Sequence, residues 1–356
     1  MPKKLPPFAS TFSPGIPKIL KETGATILLS TYQAGKVIFL SAVRDDKLVQ
    51  LPRTFDSAMG IATNGGRIAV ACKNEVVVLA NAPGLAAFYP VQPKTYDALF
   101  VPRAVYFTGQ LALHDMHWSD KGLMAINTLF SCISIIDDEY SFKTVWQPSF
   151  IPELAPEDRC HLNGMAVNDD GEIQYVTALG TTNSRQGWRE NKMDGGVLLD
   201  VKSNTVVFDH LAMPHSPRLY NHKLYFLISA LGQLVEADLQ NKKYNVIAEL
   251  GGFARGMEKI GDYLFIGISK LRHTTEVFSD LPIADTSFAG VMVYNLAQRK
   301  IEGKIEYHSS VEEIYDVKVL PGMKRPGILN YKKDVHQLAL VTPTDSFWAS
   351  PEPKNK

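Results

Sequence analysis

The sequence contains little cysteine, and this excludes two classes of small, cross-linked protein. Its 356 residues include three cysteines, Cys72, Cys132 and Cys160, which lie far apart and form no CxxC pair. An odd number of distant cysteines indicates neither a disulfide framework nor a zinc–thiolate knuckle. Each cysteine is therefore expected to be a small buried apolar side chain.

The sequence also lacks an excess of charge of either sign and long apolar runs. Its 37 basic and 37 acidic residues cancel, so bulk electrostatics recruit neither nucleic acid nor an anionic membrane. No apolar run approaches the roughly 18 residues of a membrane span. Prolines in the N-terminal MPKKLPP stand where a signal peptide would have its apolar stretch. We therefore expect a cytoplasmic protein without nucleic-acid or membrane partners.

Common motifs of nucleotide-dependent and hydrolytic enzymes are missing as well. No GxGxxG motif opens a predicted helix, and the sequence has neither a Walker loop nor a GxSxG elbow. We therefore expect no nucleotide cofactor.

What the sequence does contain is a repeated pattern of short strands. Each copy has a strand, a turn with Gly or Asp, a second strand and a third strand that ends near Asp or Asn. The spacing of roughly 40 to 60 residues is typical of propeller blades. A sixth copy stops after one strand. In order, the copies begin at Met59, His114, His161, His215, Arg255 and Glu312.

The incomplete sixth copy predicts how the ring closes. Residues 25–31, 36–42 and 47–51 read as strands without an inner partner, whereas residues 314–320 read as an inner strand without outer partners. Joined, they form one blade and remove the exposed strand edges. The sequence therefore predicts an all-β, six-bladed β-propeller over residues 25–322. Residues 1–24 and 323–356 are predicted to be terminal extensions.

A propeller of this kind concentrates its functional groups at one mouth of the axis. The loops that enter the inner strands and the loops between second and third strands lie on the same face. Four of the nine histidines, including His114, His161 and His215, fall at predicted inner-strand starts. Long insertions at 179–192 and 270–288 are predicted to overhang the same face.

The three histidines lead to two chemical hypotheses. Neutral imidazoles are common ligands of transition metals, so His114, His161 and His215 are candidate ligands of Fe, Cu or Zn. No HxH or HExxH spacing supports this, so it depends on the predicted blade arrangement alone. The alternatives are acid–base catalysis without a metal and hydrogen bonding to neighbouring blades. The candidate catalytic residues are His114, Asp115, His161, His215 and Glu313.

Basic and aromatic residues around the same mouth are candidates for substrate binding. Arg185, Arg189 and Lys192 surround Trp188 and could form a lid that clamps a carboxylate or phosphate. A solvated basic loop is the alternative interpretation. Glu313 could equally pair with Arg159 or Arg255. The candidate substrate-binding residues are Arg159, Asn163, Trp188, Arg189, Lys192, Arg218, Arg255 and Lys270.

Several motifs resemble a bacterial family of conserved hypothetical proteins of unknown function, found alone or beside peptide- and natural-product-tailoring genes. They include STYQAGK at 30–36, DRCHLNG at 158–164, YVTALG at 175–180 and MPHSPR at 213–218. The resemblance covers residues 25 to 322. The family motif has histidines at positions matching 114, 161 and 215 but not 117, which favours His114 over His117. The resemblance implies no established reaction.

Three functions from different classes follow. The leading hypothesis is a metal-dependent tailoring enzyme, oxidative or hydrolytic, that acts on a small molecule or peptide carrying an anionic group. The second hypothesis is a metal-free lyase, isomerase or cyclase that uses His and Glu as acid and base. The third is a propeller without catalytic activity that binds a peptide or protein on this face.

Overall fold

Strands account for about half of the chain because runs of Val, Ile, Leu, Tyr and Phe alternate with Gly, Asn and Asp turns. The computed structural model describes residues 5–271, 278, 281–283 and 287–350. Within these ranges the α-helices are α1 Ile16–Thr23 and α2 Pro83–Ala86, and the 3-10 helices are Gly187–Asn191, Ser229–Leu231 and Asp334–Leu338. The strands are, in chain order, β1 Ser10–Phe12, β2 Ala25–Thr31, β3 Lys36–Arg44, β4 Lys47–Thr54, β5 Ile61–Thr63, β6 Arg67–Ala71, β7 Val76–Asn81, β8 Ala98–Tyr106, β9 Leu113–Ser119, β10 Gly122–Asn127, β11 Cys132–Ile135, β12 Lys143–Trp146, β13 Leu162–Val167, β14 Ile173–Ala178, β15 Gly196–Asp200, β16 Thr205–Leu211, β17 Pro214–Tyr220, β18 Lys223–Ile228, β19 Gln233–Asp238, β20 Lys243–Glu249, β21 Phe253–Ile260, β22 Tyr263–Ser269, β23 Ala289–Asn295, β24 Lys300–Tyr307, β25 Asp316–Pro321, β26 Pro326–Ile328, β27 Ala339–Val341 and β28 Ser346–Trp348.

These strands form the six blades of a β-propeller, as the repeat predicts. Five blades use consecutive hairpins, with the first strand of each at the axis. From the axis outward, blade I is β5–β6–β7–β8, blade II β9–β10–β11–β12, blade III β13–β14–β15–β16, blade IV β17–β18–β19–β20, blade V β21–β22–β23–β24 and blade VI β25–β2–β3–β4.

Blade VI closes the ring with both ends of the propeller sequence. Its inner strand β25 pairs antiparallel with β2, in a register that places Asp316 opposite Ser30 and Pro321 opposite Ala25. The predicted closure is therefore confirmed. The inner strand begins two residues later than predicted, because Ile314 and Tyr315 still belong to the loop that enters it and bond to Ser269 and Ser30.

The apolar core lies between neighbouring blades. Each sheet buries both faces against its neighbours, so strands such as β2 are buried along their whole length. Between blades VI and I, for example, Phe39 meets Phe100 edge to face, with ring centroids 6.1 Å apart. Face-to-face packing explains why these strands read as continuous apolar runs and not as alternating ones.

The terminal segments pack on blades V, VI and I. Strand β1 pairs with the outer strand β24 of blade V, and α1 buries Ile16 and Leu20 in the core between blades V and VI. Strand β26 adds in parallel to β8 of blade I. Trp348 of the β27–β28 hairpin donates a hydrogen bond to the Leu85 carbonyl oxygen, 3.1 Å away.

The three cysteines are free and buried, as expected. Burial raises the pKa of the Cys132 and Cys160 thiols to about 12, which keeps them protonated and weakly nucleophilic. In the described ranges, no helix is long and apolar enough to cross a membrane.

Candidate functional site

A pocket of about 360 Å³ opens at one mouth of the propeller axis. It collects the starts of the inner strands and residues from both insertions, as the direction of the blades predicts. Part of the second insertion, including Arg272, His273 and Glu276, lies outside the described residues. The pocket is lined by Tyr32, Met59, Ala112, His114, His161, Leu179, Trp188, Arg189, Met213, His215, Phe253, Arg255, Phe278, Glu313 and Tyr315.

A shared backbone turn presents two of the three histidines. Ala112 and Met213 have φ of 54° and 56°, in the left-handed region, two residues before His114 and His215. The turn brings each carbonyl oxygen within reach of the following imidazole. Nδ1 of His114 lies 2.9 Å from the Ala112 oxygen, and Nδ1 of His215 lies 3.0 Å from the Met213 oxygen.

The hydrogen bonds of Thr128 determine which nitrogen of His114 carries the proton. The Thr128 hydroxyl has one proton and donates it to the Leu162 carbonyl oxygen, 2.5 Å away. Its oxygen also lies 2.7 Å from Nδ1 of His114 and can only accept there. Because the Ala112 carbonyl oxygen is also an acceptor, Nδ1 is the protonated nitrogen. Nε2 of His114 is therefore left with a lone pair.

The same arrangement recurs at His215, two blades further around the ring. The Ser229 hydroxyl donates to the Ala254 carbonyl oxygen at 2.6 Å and accepts from Nδ1 of His215 at 2.9 Å. The Met213 carbonyl oxygen is the second acceptor at Nδ1. His215 therefore also carries its proton on Nδ1 and has a lone pair on Nε2.

His161 is held by a carboxylate. Its Nδ1 lies 2.9 and 3.0 Å from the two carboxylate oxygens of Asp158, three residues earlier. Nε1 of Trp188 donates to the same carboxylate at 3.1 Å, and the Trp188 ring lies over the imidazole with centroids 4.4 Å apart. The carboxylate fixes the Nδ1–H tautomer and leaves Nε2 of His161 as the basic nitrogen.

The three imidazoles share one neighbourhood. His114 and His161 meet edge to face with centroids 4.8 Å apart. Burial, then the charges of His161 and Arg255, holds the pKa of His114 well below its ordinary value. Burial, then the charge of Arg255, does the same for His215. Both rings are therefore neutral at physiological pH.

Cationic groups also lie at the pocket, close to the histidines. The Arg255 guanidinium forms a short ion pair with Glu313 and lies 3.8 Å from the ring centroid of Tyr315. Arg189 is exposed at the rim, 5.3 Å from the Trp188 ring centroid. A cleft of about 100 Å³ adjoins the pocket and shares Arg255 and Glu313 with it; Lys270 lines this cleft.

Two predicted site residues lie below the pocket, in an ion network across the axis. Asp115 and Arg218 are 4% and 8% exposed, and Nη1 of Arg218 lies 2.8 Å from Oδ2 of Asp115. Nζ of Lys318 lies 3.8 Å from Asp115 and 3.9 Å from Asp316. Burial alone would raise the pKa of Asp115, but Arg218 and Lys318 hold it below its ordinary value. Asp115 and Arg218 pair with each other beneath the pocket, so neither is placed to meet a ligand.

Three further candidates are placed outside the pocket lining, as far as the described residues show it. Arg159 pairs with Glu157 at 2.8 Å and donates to Asn183 at 2.7 Å, which fastens the first insertion to the sheet. Asn163 is buried and bridges blades III and IV through the Pro214 carbonyl oxygen. Lys192 is half-buried after the 3-10 helix 187–191.

Sequence reasoning missed the carboxylate that holds His161. Asp158 lies in the DRCHLNG motif, three residues before His161, and an Asp-x-x-His spacing at an inner-strand start is the signal that could have found it. It also missed Tyr315, whose ring lies 5.2 Å from His114 and beneath Arg255. Tyr315 has no such signal, because its place depends on the ring closing.

The donor set does not form a ready metal site. Among the residues that the structure describes, no three His, Cys, Asp or Glu side chains are grouped so that they could hold a metal ion. The three imidazoles converge on one pocket without the spacing of a common ligand sphere.

Comparisons with other proteins identify a family and a fold. The sequence model of a family described as a domain of unknown function (DUF4915) matches residues 14–329. No curated protein matches the chain. Among solved structures, one chain of the crystal structure of a nidogen/laminin complex aligns with a TM-score of 0.53 and 10% identity, covering 84% of this chain and 99% of that one. At this identity the likeness shows the fold alone.

Proposed function

The chain belongs to the DUF4915 family, whose function is unknown, and from its own axial pocket we propose that it is an acid–base enzyme of the lyase, isomerase or cyclase class. The substrate is a small molecule or peptide with an anionic group. One observation supports this most directly: His161 stands between the Asp158 carboxylate and the pocket.

His161 has the arrangement of a general base. Its Nδ1–H donates to Asp158, so the carboxylate orients the ring and stabilises the imidazolium when Nε2 takes a proton from the substrate. His114 and His215 have only carbonyl and hydroxyl oxygens at Nδ1. Among the residues that the structure describes, neither ring has a carboxylate at Nδ1 that would stabilise a positive charge, so we take His161 as the proton acceptor of the three.

Arg255 and Arg189 account for the anionic group. Arg255 lies in the pocket lining near the histidines, where its guanidinium can stabilise negative charge on the substrate. Arg189 lies at the rim, where it can attract an anion as it enters. We place the reaction in the cytoplasm, in keeping with the composition of the sequence.

A transition metal at the three histidines is the competing hypothesis. Neutral imidazoles whose Nδ1 is anchored are suitable ligands for Fe, Cu or Zn. Among the described residues no three donor side chains are grouped so that they could hold a metal ion, and this argues against the metal hypothesis. Metal analysis and chelator treatment of the purified protein separate the two hypotheses.

The reaction is testable before its substrate is known. The EDTA-treated protein is incubated in D₂O with anionic metabolites retained on it from a cell extract, and deuterium entering the retained compound is measured by mass spectrometry. Exchange that is abolished in His161→Gln and kept in His117→Gln supports the proposal. Exchange that requires added metal supports the metal enzyme instead. A ligand that is retained unchanged and unexchanged supports the binding propeller.

A further inference from the structure

The histidine side of the pocket is a wall of hydrogen-bond acceptors. His114, His161 and His215 begin the inner strands of blades II, III and IV, which are consecutive around the axis. Each has its Nδ1 proton engaged by the protein, so the nitrogen left for an occupant is Nε2 with its lone pair. No rotation of Thr128 or Ser229 changes this, since each hydroxyl proton is committed to the next blade.

An acceptor wall selects occupants that bring donors. Closing a ligand over a lone pair without giving it a partner loses the hydrogen bond that the lone pair made to water and weakens binding. Sites built in this way reject analogues that lack the matching O–H or N–H far more strongly than apolar pockets reject a missing methylene. The occupant of this pocket therefore carries donors on the side that meets blades II to IV.

Aromatic rings stand next to each acceptor. Tyr315 lies 5.2 Å from His114 between ring centroids, and Phe253 lies 5.6 Å from His215. Trp188 covers His161. The volume of about 360 Å³ is near the lower end of ligand pockets, which span roughly 300–1,000 Å³. These walls suit one ring with its polar groups at the edge.

Two of the acceptors differ from the third in what lies behind them. His161 is backed by a carboxylate and suits proton transfer, whereas His114 and His215 are backed by carbonyl and hydroxyl oxygens. We propose that the substrate is a small hydroxylated ring acid, whose O–H groups donate to Nε2 of His114 and His215 while its acid group faces Arg255. This inference rests on the proposed function in treating the occupant as a substrate. A binding experiment tests it without any turnover.

Matched ligands isolate the donors. Full-length, EDTA-treated protein is titrated calorimetrically with 3,5-dihydroxyphenylacetate and with 3,5-dimethoxyphenylacetate, which keeps the ring and the acid but has no O–H. The meta arrangement avoids chelation of residual metal. We expect the dihydroxy compound to bind at least about tenfold more tightly, as one or two neutral hydrogen bonds predict.

Variants assign the donors to the named histidines. His114→Phe and His215→Phe should each reduce the ratio of the two dissociation constants to about threefold or less. His117→Phe is the matched control, because His117 lies further along β9 and is outside the pocket lining formed by described residues. It should keep the wild-type ratio. Melting temperatures show which variants are folded, and the wild-type ratio decides the question even if a variant is not.

Each outcome decides the inference. Equal binding of both compounds, binding of neither up to about 10 mM, or binding of the dihydroxy compound only after metal is added overturns it. Tight donor-dependent binding without deuterium exchange supports it while the proposed catalysis fails. Exchange into a substrate that has no O–H or N–H donor overturns it while the proposed catalysis stands.

Discussion

At the scale of single residues, Asp158 determines what His161 can do. The carboxylate receives both the imidazole N–H and the indole N–H of Trp188. Asp158 itself has φ of 50°, in the left-handed region, as does His161 at 52°. The chain therefore bends sharply on both sides of Cys160 to bring the carboxylate under the ring.

Replacing Asp158→Asn should leave binding intact and impair proton transfer. An amide can accept the same N–H but cannot stabilise the imidazolium, and it can favour the wrong tautomer. We expect the deuterium-exchange rate to fall by about 10²- to 10⁴-fold, with less than about a threefold change in ligand affinity. Exchange kinetics and calorimetry measure the two effects. Asp169→Asn, at an exposed carboxylate in a turn, is the control, and loss of binding equal to loss of rate would assign Asp158 a purely structural part.

Asp316 makes the stability of the protein depend on pH. Burial raises its pKa to about 6 despite the nearby Lys318, with Asp115 adding to the rise. The folded pKa lies above the ordinary aspartate value of 3.8. The stability that the protonated carboxyl contributes is therefore present below about pH 4 and is lost as pH rises through 6.

Asp316→Asn should therefore stabilise the protein at neutral pH more than at acid pH. The amide oxygen still accepts the Ile61 N–H that Oδ2 accepts in the native chain at 2.9 Å. We expect the free energy of unfolding of the variant, relative to wild type, to be about 1–3 kcal/mol higher at pH 7.5 than at pH 5. Urea unfolding at the two pH values measures this difference. A gain that stays the same at the two pH values would mean that Lys318 keeps Asp316 ionised in the folded state.

At the scale of elements, hydroxyl groups join neighbouring blades near the pocket. Each stands at the end of a second strand and donates to a carbonyl oxygen at the inner-strand start of the next blade. Two of them also contact a pocket histidine, so the same bond holds the blades together and determines the tautomer. The four bonds are Ser30 to Met59, Thr128 to Leu162, Ser229 to Ala254 and Ser269 to Ile314, at 2.5, 2.5, 2.6 and 3.0 Å.

Removing one of these hydroxyls should affect both stability and binding. Thr128→Val preserves shape but leaves the Leu162 oxygen without a donor, which costs about 1–3 kcal/mol. Ser229→Ala should behave similarly at the Ala254 oxygen. Urea unfolding gives the loss, and calorimetry with 3,5-dihydroxyphenylacetate should show weaker binding. Ser134→Ala is the control, since this buried hydroxyl bonds within its own blade at 3.4 Å and contacts no histidine. An equal loss of stability in Ser134→Ala would show that a hydroxyl bond between blades stabilises the fold no more than one within a blade.

At the scale of the whole molecule, charged groups on the axis connect all six blades. Arg218 of blade IV reaches Asp115 of blade II and the carbonyl oxygens of Met165 and Met257 in blades III and V. Lys318 of blade VI approaches Asp115 from the other side. Asp316 of blade VI accepts from Ile61 of blade I. The network closes the floor of the pocket and fixes the blades around one centre.

Breaking the network at Arg218 should strongly lower the free energy of unfolding. Arg218→Met leaves Asp115 buried with Lys318 as its remaining cationic partner among the described residues, and removing one partner of a buried pair costs about 3–5 kcal/mol. Adding Asp115→Asn in the same chain should restore part of that loss, because the uncompensated charge is gone. Urea unfolding of the single and double variants measures this. Equal stability of the two would contradict a dominant pair between Arg218 and Asp115.

Ring closure makes a second prediction for the molecule as a whole. A chain that begins at Leu51 lacks β2 and β3, so β25 and the remaining part of β4 lose their partners. Unpaired strand edges promote aggregation, and we expect no soluble, cooperatively melting protein. A peptide of residues 25–54 added during refolding should recover soluble protein. Calorimetry and size-exclusion chromatography measure both, and a well-folded monomer without the peptide would contradict the shared blade.

The sequence by itself determined the ring and the direction in which its mouth faces. Strand length, turn residues and the repeat are local properties. The last copy is truncated and the N-terminal strands have no inner partner, so pairing the two closes the ring. That His114, His161 and His215 meet in one pocket follows from the same repeat, since each stands at an equivalent place in consecutive blades.

Only the tertiary structure decided the partners of each side chain. Asn163, Asp115 and Arg218 belong to the same strand starts, yet they face neighbouring blades or the axis below the pocket, whereas Arg159 holds the first insertion of its own blade. The inner strands have bulges at Leu162–Gly164 and at His215–Arg218, which change the side to which the following side chains point. Long-range packing sets such details, and no local pattern in the sequence encodes them.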